Sequence, residues 1–235
     1  MLQSGAILSS KRRLHLGDGF SVLSGIEQYA VENDLGVIGV SGQQVLGDIL
    51  AVFRFDHVEW KNGPPTHWID ELFWANPWDQ PWLIRFKRAL ACTFGGKCSE
   101  RFYIPYLSSA PPYSYEDIVL CQFDGRSAPR RFTIDEIRKI LSRLSEGRRV
   151  VVLGGPDTER YLGSDFEYRL GDLRFISTQL KNCRHFIGCD SGISHVAGVL
   201  GIRSYVISTF DLPLIKAIYR CYLATTVVDY RTILG

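Results

Sequence analysis

Apolar positions along this chain fall into short blocks that switch between helical spacing and continuous buried runs. In the first half, apolar residues at 22, 23, 26, 29 and 30 repeat on one helical face over 20–31. Leu14-His15-Leu16 before them reads as a first strand, ending in a Gly17-Asp18-Gly19 turn. Asn33-Asp34 stops the helix, and 35–40 reads as a buried strand. Ser41-Gly42 then turns into an amphipathic helix over 43–53, and Val58-Glu59-Trp60 reads as a further short strand. This β-α-β-α-β order predicts a parallel sheet with right-handed crossovers. It is Rossmann-like without being a dinucleotide site, because no G-x-G-x-x-G follows the first strand.

A second series of the same kind begins near Asp117. Strands are predicted over 117–122, 149–153, 186–187 and 204–208, and helices over 134–144, 173–182 and 214–223. Thr133 followed by Glu136 has the spacing of a capping box. Gly154-Gly155-Pro156 is read as the turn into a short helix carrying Glu159. Ser108-Ser109-Ala110-Pro111-Pro112 separates the two series as a stiff linker. The expected domains are therefore 1–107 and 117–235, joined by 108–116. Within the first lies a Trp-rich segment with Trp68, Trp74, Trp78 and Trp82, broken by Pro77 and Pro81. It reads either as a packed, irregular cover or as an acceptor pocket whose aromatic faces stack on sugar rings. Its amphipathic end over 82–90 has a composition that would also suit an anionic membrane surface.

The chemistry concentrates in the block from Arg184 to Gly201. An apolar strand leads to Asp190-Ser191-Gly192, and a helix is expected to open at Ile193 or Ser194. A helix N-terminus presents unpaired N–H groups and a partial positive charge, so such a turn can hold an anion. Ser191 and Ser194 can cap the first turn, and His195 adds a donor there. The same residue types would serve an ordinary capped β-turn-α connection with no ligand. Asp18 has two readings as well: a general base in the turn that ends the first strand, or a cap accepting N–H groups of the next turn.

Asp190-Ser191-Gly192-Ile193-Ser194-His195-Val196-Ala197-Gly198-Val199-Leu200-Gly201 resembles the donor-site signature of the heptosyltransferase-like glycosyltransferases, glycosyltransferase family 9. That pattern is Asp-Ser/Thr-Gly-x-x-His-x-Ala-x-x-x-Gly, a moderately specific match over about a dozen positions. The resemblance is strongest over 117–207 and reduces to one short motif, Gly17-Asp18, in the first half. It implies an α/β protein of the GT-B kind, two Rossmann-like domains with parallel sheets facing across a cleft. It also implies an inverting, metal-independent glycosyltransferase, with an acceptor domain first and a nucleotide-sugar domain second. The donor would be a nucleotide-diphosphate sugar, ADP expected and GDP or UDP open, and the acceptor a bacterial envelope saccharide or glycolipid, as in lipopolysaccharide biosynthesis.

Carried over residue by residue, the resemblance makes Asp18 the base and Glu159 the partner of the ribose hydroxyls. Arg130 and Arg131 would bind phosphate, with Arg126 a rival. Ser191, Gly192, Ile193, Ser194 and His195 would line the diphosphate, and Asp190 would touch the donor sugar or fix the turn. The loop Leu170-Gly171-Asp172 falls where family members hold the base, and it lacks their residues.

Composition adds exclusions. A net charge of +2 gives no electrostatic footprint for nucleic acid. Lys11-Arg12-Arg13 and Arg148-Arg149 read as solvated faces. The six cysteines show neither CxxC pairing nor zinc spacing with the histidines, so no metal site is expected. Cys121 and Cys189 read as buried thiols, and His57 and His67 as residues without a metal-spaced carboxylate. With no apolar leader and no run of about 18 apolar residues, the expected location is cytoplasmic. Contact with the inner membrane surface stays open. Two alternatives remain: a nucleotide-sugar epimerase or hydrolase on the same scaffold, and a non-catalytic nucleotide-sugar-binding module. Against the first, Ser194-His195-Val196-Ala197 stands where those enzymes carry sugar-handling glutamates.

Overall fold

The computed structural model describes residues 2–70, 81–109, 114–123, 132–154, 166–209 and 211–235. The chain divides into two compact units, Met1–Ser109 and Ala110–Gly235. Trp74, Trp78, the linker residues 110–113, Arg130, Arg131 and Glu159 lie outside the described residues.

In the N-terminal unit the described elements run β1 (Ile7–Ser9), α1 (Leu16–Glu32), β2 (Ile38–Val40), α2 (Gln44–Val52), β3 (Phe53–Arg54), β4 (Val58–Trp60), β5 (His67–Trp68), α3 (Trp82–Phe94) and β6 (Tyr106–Leu107). Four strands form a parallel sheet in the order β4-β2-β1-β5, with Leu8 opposite both Val40 and His67. β3 and β6 pair separately and antiparallel. The parallel sheet expected from the pattern is present, but its first strand is Ile7–Ser9. Leu14-His15-Leu16 is the entry to α1 instead: His15 is its extended N-cap, and Asp18 reaches back to accept the His15 N–H at 2.9 Å. The closed capping box draws Gly17-Asp18-Gly19 into the helix, so these residues do not form a turn after a strand.

Helix α1 is buried along most of its length and packs on α3. Trp82 Nε1 donates to the Gly17 carbonyl at 2.6 Å, and Ser21 Oγ donates to the Trp82 carbonyl at 2.6 Å. Trp82, Leu83, Ile84, Arg85, Phe86 and Lys87 are all buried. The 82–90 segment is therefore not a surface helix available to a membrane, because its apolar and cationic positions are both used inside the unit. No described helix is long and apolar enough to cross a membrane.

Lys87 shows how that charge is accommodated. Its ammonium, fully buried, binds Glu32 Oε1 at 2.8 Å and the carbonyls of Ser99 (2.8 Å) and Arg101. Burial by itself would raise the Glu32 pKa. Hydrogen bonds from Lys87 and Ser99 outweigh it and bring the group down to about 2. A folded pKa below the unfolded one stabilises the fold above the unfolded value, and that stability is lost as pH falls toward the folded value. Glu32→Gln is therefore expected to cost about 3 kcal/mol at pH 7. Urea melts from pH 7 to pH 2 should show the gap between wild type and variant closing below about pH 4.5; a constant gap would refute the linkage.

The C-terminal unit carries β7 (Ile118–Gln122), α4 (Ile134–Leu144), β8 (Arg149–Gly154), β9 (Glu167–Leu170), α5 (Leu173–Asn182), β10 (His185–Cys189), α6 (Gly192–Val199), β11 (Ser204–Ser208), α7 (Leu212–Tyr219), β12 (Thr225–Asp229) and α8 (Tyr230–Leu234). Among the described residues these make one six-stranded parallel sheet in the order β12-β11-β10-β7-β8-β9. Numbered within the unit this is 6-5-4-1-2-3, the strand order of a doubly wound Rossmann fold. Both faces are covered, so β7 and β10 are buried at every position and read as mainly apolar runs, with Gln122 closing β7 and His185 opening β10. Cys121 and Cys189 lie in that core with Ile137 and Ile140 of α4.

Thr133 and Glu136 close the expected capping box. Strands β9 and β12 have no counterpart in the sequence reading, and α7 ends at Tyr219 rather than at Leu223. Arg148 and Arg149 do not form a free basic face. Arg148 pairs with Asp117 (2.8 Å) and Glu146 (2.7 Å), and Arg149 with Glu116 (3.4 Å) and Glu167 (3.6 Å).

Candidate functional site

In a 6-5-4-1-2-3 sheet the chain leaves β7 and β10 in opposite directions. A crevice therefore opens beyond their carboxyl ends, and open α/β sheets bind ligands there. The Asp190-Ser191-Gly192 turn occupies that position. Ser191 is the extended N-cap of α6, at φ −155° and ψ 168°. Its Oγ accepts the Ser194 N–H at 3.4 Å and donates to Gln122 Oε1, at the end of β7, at 2.6 Å. One hydroxyl thus ties the two strands together across the switch point. Gln122 was missed in the sequence; the available signal was a polar residue closing an otherwise apolar strand.

The residues expected to line a diphosphate separate into two groups. Ser191, Gly192 and Ile193 are half-exposed at the first turn of α6. Its leading N–H groups and the dipole make this an anion-seeking end. Ser194 and His195 are buried and face inward, so their side chains are not presented to a ligand. Ser194 Oγ donates to the Cys189 carbonyl at 2.5 Å. His195 stacks on Tyr219, ring centroids 4.7 Å apart, and its Nδ1 lies 3.0 Å from the Tyr222 hydroxyl. The turn carries hydroxyls at Ser191 and Ser194, but position 195 falls on the side of α6 that packs against Tyr219 and Tyr222. Asp190 is buried too, and its Oδ1 accepts the Tyr219 hydroxyl at 2.9 Å. Asp172 of the Leu170-Gly171-Asp172 loop caps α5, accepting the Phe175 N–H at 2.8 Å.

In the N-terminal unit the order β4-β2-β1-β5 repeats the start of the same pattern, with its own change of direction between β1 and β5. There Asp70 accepts from Ser10 Oγ (2.8 Å), the Lys11 N–H (2.7 Å) and the Arg12 N–H (2.8 Å). Burial opposes ionisation of Asp70, yet these donors hold its pKa below the usual value. The Lys11-Arg12-Arg13 loop is thereby fixed, with Lys11 Nζ 5.0 Å above the Trp68 ring. Asp18 is buried on the first turn of α1. Arg85, fully buried, has its pKa lowered to about 10 by burial, an effect partly offset by the charge of Asp18. His57 has a carboxylate partner after all: its Nδ1 lies 2.9 Å from buried Glu27, which also accepts the Asp56 and His57 N–H groups. This is a structural clasp, and no group able to hold a metal ion occurs among the described residues.

Neither a protein-family model nor a curated protein matches this chain. Solved structures do match its fold. A glycosyltransferase family 9 protein from Veillonella parvula DSM 2008 superposes with a TM-score of 0.69 at 11% identity, over 97% of this chain and 86% of that one. The dodecameric iron-containing heptosyltransferase TibC of enterotoxigenic E. coli H10407, in complex with ADP-D-β-D-heptose, gives 0.67 at 16% identity. That match covers 96% of this chain and 63% of TibC, so the chain spans less than two thirds of that protein. E. coli heptosyltransferase WaaC with ADP gives 0.54 at 12% identity, over 95% and 93%. At these identities the likeness establishes a shared fold.

Proposed function

We propose that this chain is an inverting glycosyltransferase of the family 9, GT-B kind, and that its C-terminal unit holds a nucleotide-diphosphate sugar at the Asp190-Ser191-Gly192 turn. One observation carries the reading: a signature-like turn stands at the switch point of a Rossmann-ordered parallel sheet, in a chain whose fold matches heptosyltransferases solved with ADP or ADP-heptose. The half-exposed first turn of α6 would take the diphosphate, and the dipole would stabilise the charge that develops as it leaves. Arg130 or Arg131 would add a guanidinium, and Glu159 would accept from the ribose. Asp18 would take the proton from an acceptor hydroxyl as that oxygen bonds to the anomeric carbon and the sugar–phosphate bond breaks. No metal is assigned a part in this scheme. ADP is the expected nucleotide, and the proposed acceptor is a bacterial envelope saccharide or glycolipid, with the reaction on the cytoplasmic side where nucleotide sugars are made.

Calorimetric titration with ADP, GDP, UDP and CMP tests the donor half. ADP is expected to bind in the micromolar range, and Glu159→Ala to weaken it about tenfold, near 1.4 kcal/mol. If none of the four binds at millimolar concentration, the donor-site reading fails.

A further inference from the structure

Two tyrosines that the sequence reading left out converge beneath the Asp190-Ser191-Gly192 turn. Tyr219 closes α7 and Tyr222 follows three residues later, yet both reach back under the end of β10. Both rings are buried. The Tyr219 hydroxyl donates to Asp190 Oδ1 at 2.9 Å, while its ring lies nearly parallel to His195, at 16°. The Tyr222 hydroxyl meets His195 Nδ1 at 3.0 Å, and the other imidazole nitrogen, Nε2, sits 3.9 Å from Asp190 Oδ1. Each tyrosine hydroxyl thus meets a different polar residue of the motif, and those two residues face each other.

The donor in each contact follows from the chemistry. Burial first, then the Asp190 charge, drives the Tyr219 pKa well above 10; burial also raises that of Tyr222. Both hydroxyls keep their protons at neutral pH and can donate. A carboxylate only accepts, so the imidazole proton facing Asp190 sits on Nε2, and Nδ1 is left to accept the Tyr222 hydroxyl proton. Close packing supports this seat. A Cβ on Gly198, one turn past His195 in α6, would come within 2.5 Å of the Tyr222 ring, so glycine leaves the space that the ring fills.

The geometry points to Tyr219 and Tyr222 as positioning residues for the turn, Tyr219 holding the Asp190 carboxylate and Tyr222 holding His195 as the neutral imidazole protonated on Nε2. The inference rests on the donor-site reading above. It gives that site a sugar-side element distinct from its nucleotide side: Asp190, anchored by Tyr219, addresses the sugar, and the α6 N-terminus addresses the phosphates. His195 then acts through Asp190 and does not contact the diphosphate.

Two measurements separate this inference from the reading beneath it. Nitrogen-15 NMR of the histidine side chains, with His195 assigned by substitution, reports the tautomer without any ligand. Wild type is expected to show an unprotonated Nδ1 and a protonated Nε2, and Tyr222→Phe to lose that bias. Gly198→Ala, which displaces the ring while keeping the hydroxyl, should lose it too and serves if Tyr222→Phe does not fold. A proton on Nδ1 in wild type, or an unchanged spectrum in the variants, overturns the Tyr222 assignment. In the second arm, Tyr219→Phe keeps the ring stack and removes only the hydroxyl. Affinity for ADP should stay within about twofold while that for ADP-heptose falls about tenfold, the scale of one hydrogen bond to a charged acceptor. Equal losses for both ligands, or none, overturn the Tyr219 assignment. Wild type that binds neither ligand refutes the donor-site reading and the Tyr219 assignment with it, and the imidazole spectrum still decides Tyr222.

Discussion

Asp18→Asn is expected to lower sugar transfer by about 10²–10⁴-fold, the usual contribution of a positioned general base, while leaving ADP affinity unchanged. The carboxylate sits on the first turn of α1 as the N3 member of a capping box, accepting the N–H of the preceding His15 and not those of the next turn, so Asp18 caps in a different way from the cap expected of it. Capping does not exclude base chemistry, because a carboxylate has two oxygens and further lone pairs. Asparagine keeps an oxygen that can cap and removes the proton acceptor. It also removes a negative charge near buried Arg85, so some loss of stability is expected. Initial rates should therefore be taken well below the melting temperature of the variant, with circular dichroism confirming the folded fraction. Asp18→Ala removes both functions and should cost about 1 kcal/mol more through the lost cap. A folded Asp18→Asn protein that transfers sugar at the wild-type rate would leave Asp18 with its capping role alone.

A second large effect, this one on packing, is expected at Gly25. A Cβ there would lie 2.7 Å from the Lys87 backbone nitrogen and 2.8 Å from Phe86 Cβ, on the face where α1 and α3 touch. Backbone cannot rotate away, so Gly25→Ala has to part the two helices, loosening the Trp82–Gly17 and Lys87–Glu32 contacts together. Overpacking of this kind costs about 1–3 kcal/mol or more, against a gain of up to about 1 kcal/mol in helix propensity. The expected net loss is about 2 kcal/mol, read as the urea midpoint of the transition that exposes the N-terminal unit. Gly47→Ala in α2 is the matched control. Its Cβ would meet only the Trp60 ring, at an ordinary 3.5 Å, so the propensity gain should appear as slight stabilisation. If the two variants melt alike, the tight α1–α3 approach is not what holds glycine at position 25.

Some elements were legible because their signals are local. Thr133 and Glu136 stand three residues apart in a capping box and need only each other, and α5 begins and ends where its periodicity does. The fully buried strands β7 and β10 announced themselves as apolar runs, since helices on both faces leave no polar side to encode. β1, three residues long and ending in Ser9, carried too little pattern. The stronger-looking Leu14-His15-Leu16 was read in its place, although a capping box three residues on had already claimed it for a helix. β5, β9 and β12 are strands because a neighbour pairs with them, and that is not written in their own few residues.

The candidate site divides the same way. The sequence by itself determined an α/β chain of two βα series, the Asp190-Ser191-Gly192 turn at a strand end, and Ser191 and Ser194 as candidate caps of the helix that follows. Each of these depends on residues within one turn of each other. Only the tertiary structure decided that the turn stands at a switch point, that Gln122 bridges to it, and that Tyr219 and Tyr222 hold Asp190 and His195. It also decided that Ser194 and His195 face the core, because the side of a helix that meets a sheet is chosen by packing across distant strands. Local chemistry states which groups a segment can offer; the sheet order decides which of them are turned outward.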